Sequence, residues 1–195
     1  MNKNKILSPN QIAIQRFKKN VTGVISLVFI TLCALVAIFA YFIIPDKTPY
    51  ANTQILEIST QKPGFEVDML LVPKQNSVEK RGFFAQMMNG QPSSYRQIPF
   101  DSLKIDKEKT IVYIFNLDKT NTVTEEIISN QELNLGKTFS SDEEATHYIN
   151  SNCVEHRKFI LGTDQFGRDF LSRLLLGTRI SFSVGFIAVF MSILI

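Results

Sequence analysis

Cysteine and histidine are scarce, two of each among 195 residues. Cys33 lies inside an uncharged apolar run and Cys153 in a polar segment far along the chain. They fall on different sides of any sensible boundary, so no intramolecular disulfide is expected. Cys153 and His156, with His147 one helical stretch earlier, form the one grouping that suggests a metal site or a Cys–His nucleophile. On a polar helix end these three read as solvated residues. Nucleophile, base and orienting partner do not occur together, so no catalytic residue, metal ligand or cofactor is assigned and no enzyme is expected. The two glycines of Gly162-Thr-Asp-Gln-Phe-Gly167 have the spacing of a phosphate loop, but the Lys-Ser/Thr that should follow is missing and no buried strand feeds the loop. Nucleotide binding is excluded on that ground. Internal repeats and low-complexity tracts are also lacking.

Charge is missing in a more telling pattern. The first twenty residues contain no acid but carry Lys3, Lys5, Arg16, Lys18 and Lys19. The next 24 residues, Val21 to Ile44, contain no charge at all. As a helix rising ~1.5 Å per residue they reach ~36 Å, enough to cross a ~30 Å hydrocarbon core with some tilt. A cleaved secretory signal competes, but its apolar region is ~7 to 15 residues and ends at a small-residue site, whereas this run ends in Tyr-Phe-Ile-Ile-Pro. The basic flank places the N-terminus (residues 1–20) in the cytoplasm by the positive-inside rule. The segment between Asp46 and Lys158 carries 13 basic and 16 acidic residues. It is assigned to the far side of the bilayer, and the overall +3 charge is no argument for nucleic acid.

Ser8-Pro9 predicts an N-cap and first helical position for a short interfacial helix carrying Ile12 and Phe17. A disordered basic tail is the alternative for residues 1–8. The external segment, residues 45–158, reads as a small α+β domain. Phe65, Val67, Met69 and Leu71 alternate with Glu66, Asp68 and Leu70 as in a half-buried strand. Residues 102–105 and 110–115, joined by a charged turn at 106–109, predict a hairpin. Ser141-Asp-Glu-Glu144 is a capping-box pattern that opens a helix to about Asn152, its acids complementing the helix dipole. Residues 89–94 are turn material.

Residues 159–179 predict a turn and an amphipathic elbow helix at the membrane surface. Asp164 is the expected cap, Phe166, Phe170, Leu171, Leu174 and Leu175 the apolar face, and Asp169 with Arg173 an i, i+4 pair. Arg168, Arg173 and Arg179 are expected to hold this helix at headgroup level. Residues 180–195 are uncharged, and at ~24 Å they are too short to span. They read as the start of a second transmembrane helix, with Ser181, Gly185 and Ala188 forming a small-residue face for helix packing.

Leu161-Gly-Thr-Asp164, Gly167-Arg-Asp169, Leu171-Ser-Arg-Leu174 and Gly177-Thr-Arg-Ile-Ser181 resemble the stretch before the second transmembrane helix in permease subunits of the dipeptide, oligopeptide and nickel type of ABC importer. Ser8-Pro9 through Arg16-Phe-Lys-Lys-Asn20 is similar to the opening of the same subunits. Residues 157–160, Arg-Lys-Phe-Ile, depart from the His-Pro often found there, and the external insertion is longer than usual. The resemblance implies an α-helical integral inner-membrane protein with an inserted small α+β extracytoplasmic domain, and multi-pass topology. It implies as partners a second permease subunit, cytoplasmic ATPase subunits that alone hydrolyse ATP, an extracytoplasmic solute-binding protein and membrane lipid. It assigns structural roles to Gly162, Thr163, Asp164, Gly167, Arg168, Asp169, Arg173, Gly177 and Arg179. The remaining spans and the ATPase-docking loop are not seen, so the chain is expected to be the N-terminal fragment of a longer permease importing peptides or related solutes. A membrane-anchored extracytoplasmic binding or scaffold domain is the second reading.

Overall fold

The computed structural model describes residues 8–75, 78–116, 124–133, 136 and 138–195. Lys3 and Lys5, and most of the tail for which disorder is the alternative, lie outside the described residues.

Helix α1, Pro9–Lys19, begins as its sequence demands. The Gln11 amide donates to Ser8 Oγ and the Ser8 amide to Gln11 Oε1, so two otherwise orphaned donors are satisfied reciprocally. Asn20 ends this helix and starts the next, its Oδ1 accepting from the Gly23 amide at 3.1 Å. Helix α2, Val21–Ile43, has 23 residues, so it is ~35 Å long. Its first two-thirds carry no buried side chain; Ala37, Ala40 and Tyr41, at its end, are buried.

The chain closes with α6, Phe170–Leu194, an unbroken helix of 25 residues. Both α2 and α6 are long and apolar enough to cross a membrane. The expected break between an elbow ending at 179 and a span starting at 180 is absent. Gly177 sits inside the helix with open space around it. A helical glycine costs only ~1 kcal/mol relative to alanine, too little to end a helix of this length. The cap also differs from expectation, being Asp169, whose side chain accepts from the Ser172 amide. Asp164 is already committed to the turn before it. Ser181, Gly185 and Ala188 are exposed, so their small-residue face packs on nothing within the described residues.

Between the two long helices stands a five-stranded antiparallel sheet in the order β4-β3-β2-β1-β5. Strand β1 is Phe65–Pro73, β2 Tyr95–Ile105, β3 Lys109–Ile114, β4 Glu125–Ser129 and β5 Val154–Phe159. A short helix α3, Phe83–Asn89, lies between β1 and β2. A single turn α4, Asn130–Leu133, and α5, Asp142–Asn152, carry the chain from β4 back to β5. The alternation read for β1 holds for Val67 and Met69, which pack with Ile55, Ile58 and Phe159 on one face. Leu70, grouped by sequence with the exposed set, is instead fully buried. It and Val72 meet Ile98, Val112, Ile128, Leu133, Ile149 and Cys153 beneath α4 and α5 on the opposite face. The sheet is thus covered on both sides along β1, and only the Glu66–Asp68 end of that second face stays in water. There His156 Nδ1 meets Asp68 Oδ1 at 2.7 Å and Lys158 Nζ meets Glu66 Oε1 at 2.6 Å across the β1–β5 pair.

Helix α5 starts with Ser141 Oγ accepting from the Glu144 amide. The Glu144 carboxylate reaches back one residue further than a standard box, to the Ser140 amide at 2.8 Å. Asn89, expected as turn material, is the last residue of α3, and Gly90, its C-cap at φ 70°, lets the chain pass Tyr41 so closely that a Cβ would lie 2.6 Å from its ring.

Truncating Ile149, which is fully buried against the sheet, to alanine is expected to lower stability by ~2–5 kcal/mol, while Ile127→Ala on the exposed side of β4 changes little. Thermal unfolding of the two variants of the whole chain checks this. Hydrogen bonding from Asp68 first, then its charge and that of Glu66, outweigh burial and raise the His156 pKa above that of free histidine. The contact therefore contributes fully below the ordinary histidine pKa and fades as pH rises through the raised one. Titration of the His156 ring by NMR should show a midpoint that falls in Asp68→Asn.

Candidate functional site

The residues named from the motif converge where α2 leaves the apolar region and α6 enters it. Ala40, Tyr41 and Ile44 of the α2 end pack with Ala51 and Leu176, and the small alanines allow the two helices to approach closely. Just beyond α2 the first charge after the apolar run, Asp46, is buried. Its amide donates to Ser172 Oγ at 3.0 Å, and the Ser172 hydroxyl in turn lies against Asp169 Oδ2. The Asp46 carboxylate accepts from the amide and hydroxyl of both Thr48 and Thr53, at 2.7–3.1 Å. Ser172 is fully buried and Asp169 nearly so, yet no buried side-chain polar atom among the described residues lacks a partner. Tyr41 completes this layer, its hydroxyl accepting from the Tyr50 amide at 3.0 Å.

A second layer joins the segment 52–63 to the turn 161–169. Thr163 Oγ1 donates to the Ile58 carbonyl at 2.5 Å and accepts from the Gln61 amide at 2.9 Å. The Thr163 amide donates to the Gln61 carbonyl, the Thr60 amide to the Asp164 carbonyl, and the Ile55 amide to the Phe166 carbonyl. Two glycines make this approach sterically allowed. Gly162 has φ 75° and a Cβ there would stand 2.1 Å from the Gln61 carbonyl oxygen; Gly167 has φ 68° and its Cβ would stand 1.6 Å from that of Ile55. Tyr50, Ala51 and Thr60 also adopt positive φ, at 61°, 45° and 52°. Such backbone costs of order 1–3 kcal/mol per residue, so the surrounding contacts must hold it in place.

Asp164 organises the turn itself. Its Oδ1 accepts from the Phe166 and Arg168 amides, and its Oδ2 meets the Arg168 guanidinium at 2.7 Å. Burial acting alone would raise this carboxyl's pKa. The hydrogen bonds from Arg168 and the Phe166 amide, with the Arg168 charge, overcome it and hold the group below the ordinary aspartate value. Arg168 also donates to Asn52 Oδ1 at 3.1 Å and lies over the Phe166 ring. It is therefore spent within the protein, whereas the sequence suggested a headgroup contact. Arg173 faces Asp164 at 3.6 Å, so the expected Asp169–Arg173 pair is replaced by Asp164–Arg173, because the Asp169 carboxylate is turned inward to Ser172. Arg179 reaches elsewhere, over the Tyr41 ring and to the carbonyls of Met87 and Met88.

The structure thus gathers Gly162, Thr163, Asp164, Gly167, Arg168, Asp169 and Arg173 into one clamp, sets Arg179 beside α3, and leaves Gly177 apart. Sequence reading missed Asp46, Thr48, Asn52, Thr53 and Ser172. The signal for Asp46 was there, as the first carboxylate after a long uncharged stretch. The Cys153 grouping disperses: its thiol is buried under Leu133, with its pKa raised by burial, while His156 faces Asp68 and His147 is exposed. What the clamp can do is mechanical. It fixes the angle at which two apolar helices meet the sheet.

Gly167→Ala is expected to open the clamp at a cost of about 3 kcal/mol or more, seen as a lowered unfolding temperature and new protease cleavage near residues 52–63. Because the Asp164 pKa is depressed, its contribution is present at neutral pH and is lost as pH falls below the usual aspartate range. Asp164→Asn should remove that acid-sensitive component from the unfolding profile.

Neither curated proteins nor solved structures give a match to this chain. A family match covers the α1–α2 region and the first half of the clamp. Residues 8–63 match the family described as the N-terminal TM domain of oligopeptide transport permease C, so this segment is similar to the N-terminal part of such permeases.

Proposed function

We propose that the chain is the N-terminal part of a permease subunit that imports peptides or related small solutes, driven by separate ATPase subunits. The observation that carries this reading is the interlocking of two segments. The matched region 8–63 ends in the strands of chain that grip residues 161–169, where the permease-like motif lies. One half of the clamp is supported by the family match and the other by its geometry against the first. On this reading α1 lies at the cytoplasmic surface with Arg16, Lys18 and Lys19, α2 crosses outward, the sheet is extracytoplasmic, and α6 returns through the bilayer. A second permease subunit packs on part of the apolar surface that α2 and α6 leave exposed, the Phe39–Phe42 flank of α2 facing lipid, and a solute-binding protein docks from the outer side. The permease holds no ATP-hydrolysing site of its own.

The clamp then serves transport by transmitting force. When ATPase partners drive the helices between inward and outward arrangements, the α2–α6 junction must move as a unit with the external domain. In the assembled transporter, Asp164→Ala with Arg168→Ala should lower ATP-dependent uptake severalfold at equal expression. Asp164→Asn with Arg168 intact, which keeps an Oδ1 acceptor for the Phe166 and Arg168 amides, should retain part of it. Uptake equal to wild type in the double alanine variant would remove the clamp from the mechanism. Orientation is checked separately by membrane-impermeant thiol labelling in a Cys33→Ser, Cys153→Ser background. Glu143→Cys should react from outside intact cells and Gln15→Cys only after permeabilisation.

A further inference from the structure

The segment between β1 and β2 has a feature that neither the clamp nor the permease reading uses. Helix α3 contains no charge, and its Phe83, Phe84 and Met88 are 60%, 75% and 53% exposed. These side chains are continuous with α2. Phe42 stacks on Phe83 at 5.2 Å, Phe83 meets Phe84 edge-on at 5.6 Å, and Phe42 leans toward Phe39 at 6.5 Å on the exposed surface of α2. An apolar ribbon therefore runs without interruption from the side of the spanning helix onto α3.

The polar backbone at the end of α3 is provided for. Arg179 of α6 donates to the carbonyls of Met87 and Met88, and Arg81 to those of Asn89 and Gly90. Gln91 ties the segment shut by accepting from the Arg81 amide and donating to the Glu79 carbonyl. Satisfied carbonyls are what a helix end needs where water is thin. Just before the helix Lys80 is exposed, with a stem long enough to reach a phosphate while α3 lies flat.

We propose that α3 is a lipid anchor. It lays Phe83, Phe84 and Met88 into the boundary between headgroups and acyl chains beside α2, and so holds the sheet domain at a fixed height on the bilayer. The bilayer is favoured over a protein partner because the ribbon is continuous with the exposed flank of α2 and is clipped to both long helices. The inference rests on the reading of α2 as a membrane span, and the experiment separates the two.

The chain contains no tryptophan, so each introduced one is the sole reporter. Phe84→Trp and Met88→Trp are placed on α3, Phe29→Trp on the exposed side of α2, and Ile127→Trp on exposed β4. Each variant of the 195-residue chain is reconstituted into phosphatidylethanolamine–phosphatidylglycerol vesicles. Emission is quenched either by lipids brominated near the headgroup or by aqueous acrylamide. The expected result is blue-shifted emission for both α3 probes, strong quenching by the shallow brominated lipid, and severalfold less acrylamide quenching than at Ile127→Trp. Acrylamide quenching of the α3 probes equal to that of Ile127→Trp, with no response to brominated lipid, would overturn the anchor while a lipid-quenched Phe29→Trp leaves the span standing. Shielding of the α3 probes from both quenchers would overturn it in favour of a protein surface. A Phe29→Trp probe insensitive to brominated lipid would overturn the membrane reading and the anchor with it.

Discussion

Everything at the junction depends on one requirement: backbone groups released where α2 ends and α6 begins must find partners although both helices are apolar there. Water cannot be relied on to satisfy them between packed helices. The chain running from Asp46 to Ser172 to Asp169 answers this with side chains from both segments. Asp169 caps α6, Ser172 links that cap to the chain leaving α2, and Asp46 gathers Thr48 and Thr53 into the turn that follows. A buried carboxylate that accepts four hydrogen bonds has its acceptors satisfied away from water. Removing the Ser172 hydroxyl takes away the acceptor of the Asp46 amide, and removing Asp169 takes away the cap of α6, which is why this small group governs a large geometry.

The sheet is attached to this junction through two neighbouring strands. Phe65 opens β1 and Phe159 closes β5, and the two are directly paired. The rest of the domain hangs from that pair, so its entry and exit lie side by side. On one face Val67, Met69 and Phe159 pack onto Ile55 and Ile58 of the clamp segment. The residues between the spanning helix and β1 are therefore shared by the sheet and the junction. Rotating the sheet against the helices would require breaking both an apolar contact and the hydrogen bonds of Thr163. Rigid coupling is the mechanical consequence.

Much of this was legible because local rules applied. Ser8-Pro9 and Ser141 are capping signals that act within one turn, and the 102–115 hairpin is set by alternation and a charged turn. The errors share a cause. Asp164 looked like a helix cap because it precedes an apolar-periodic stretch, but left-handed Gly167 stops the helix from starting there and gives the cap to Asp169. Leu70 looked exposed because alternation assumes one buried face, and α4 and α5 cover the second. The earlier part of β2, residues 95–101, was not read; Pro99 within it lacks a ladder donor. Its carbonyl nevertheless accepts from the Phe115 amide, and the register with β3 shifts by an irregularity between Phe100 and Ser102. Ser172 and Asn52 were missed because their partners across the clamp, Asp46 and Arg168, lie 126 and 116 residues away, and no local pattern encodes such a meeting.

That separation bears on how a folded segment of this size is accommodated between the two halves of the clamp. The clamp can close only after the chain between residues 63 and 161 has returned to its starting point. For a flexible loop the cost would grow slowly, by about 0.6 kcal/mol for each doubling of length. Here the β1–β5 pair sets the distance between the ends, so once the sheet is folded most of that cost has been met by the sheet's own burial. The junction then sees two ends already side by side, much as it would with a short turn. Strained residues such as Thr60 and Tyr50 can persist under these conditions, since their partners arrive pre-positioned. A folded segment with adjacent ends can thus replace a short connection between two long apolar helices without weakening the joint, and this one uses its own β1 face to reinforce it.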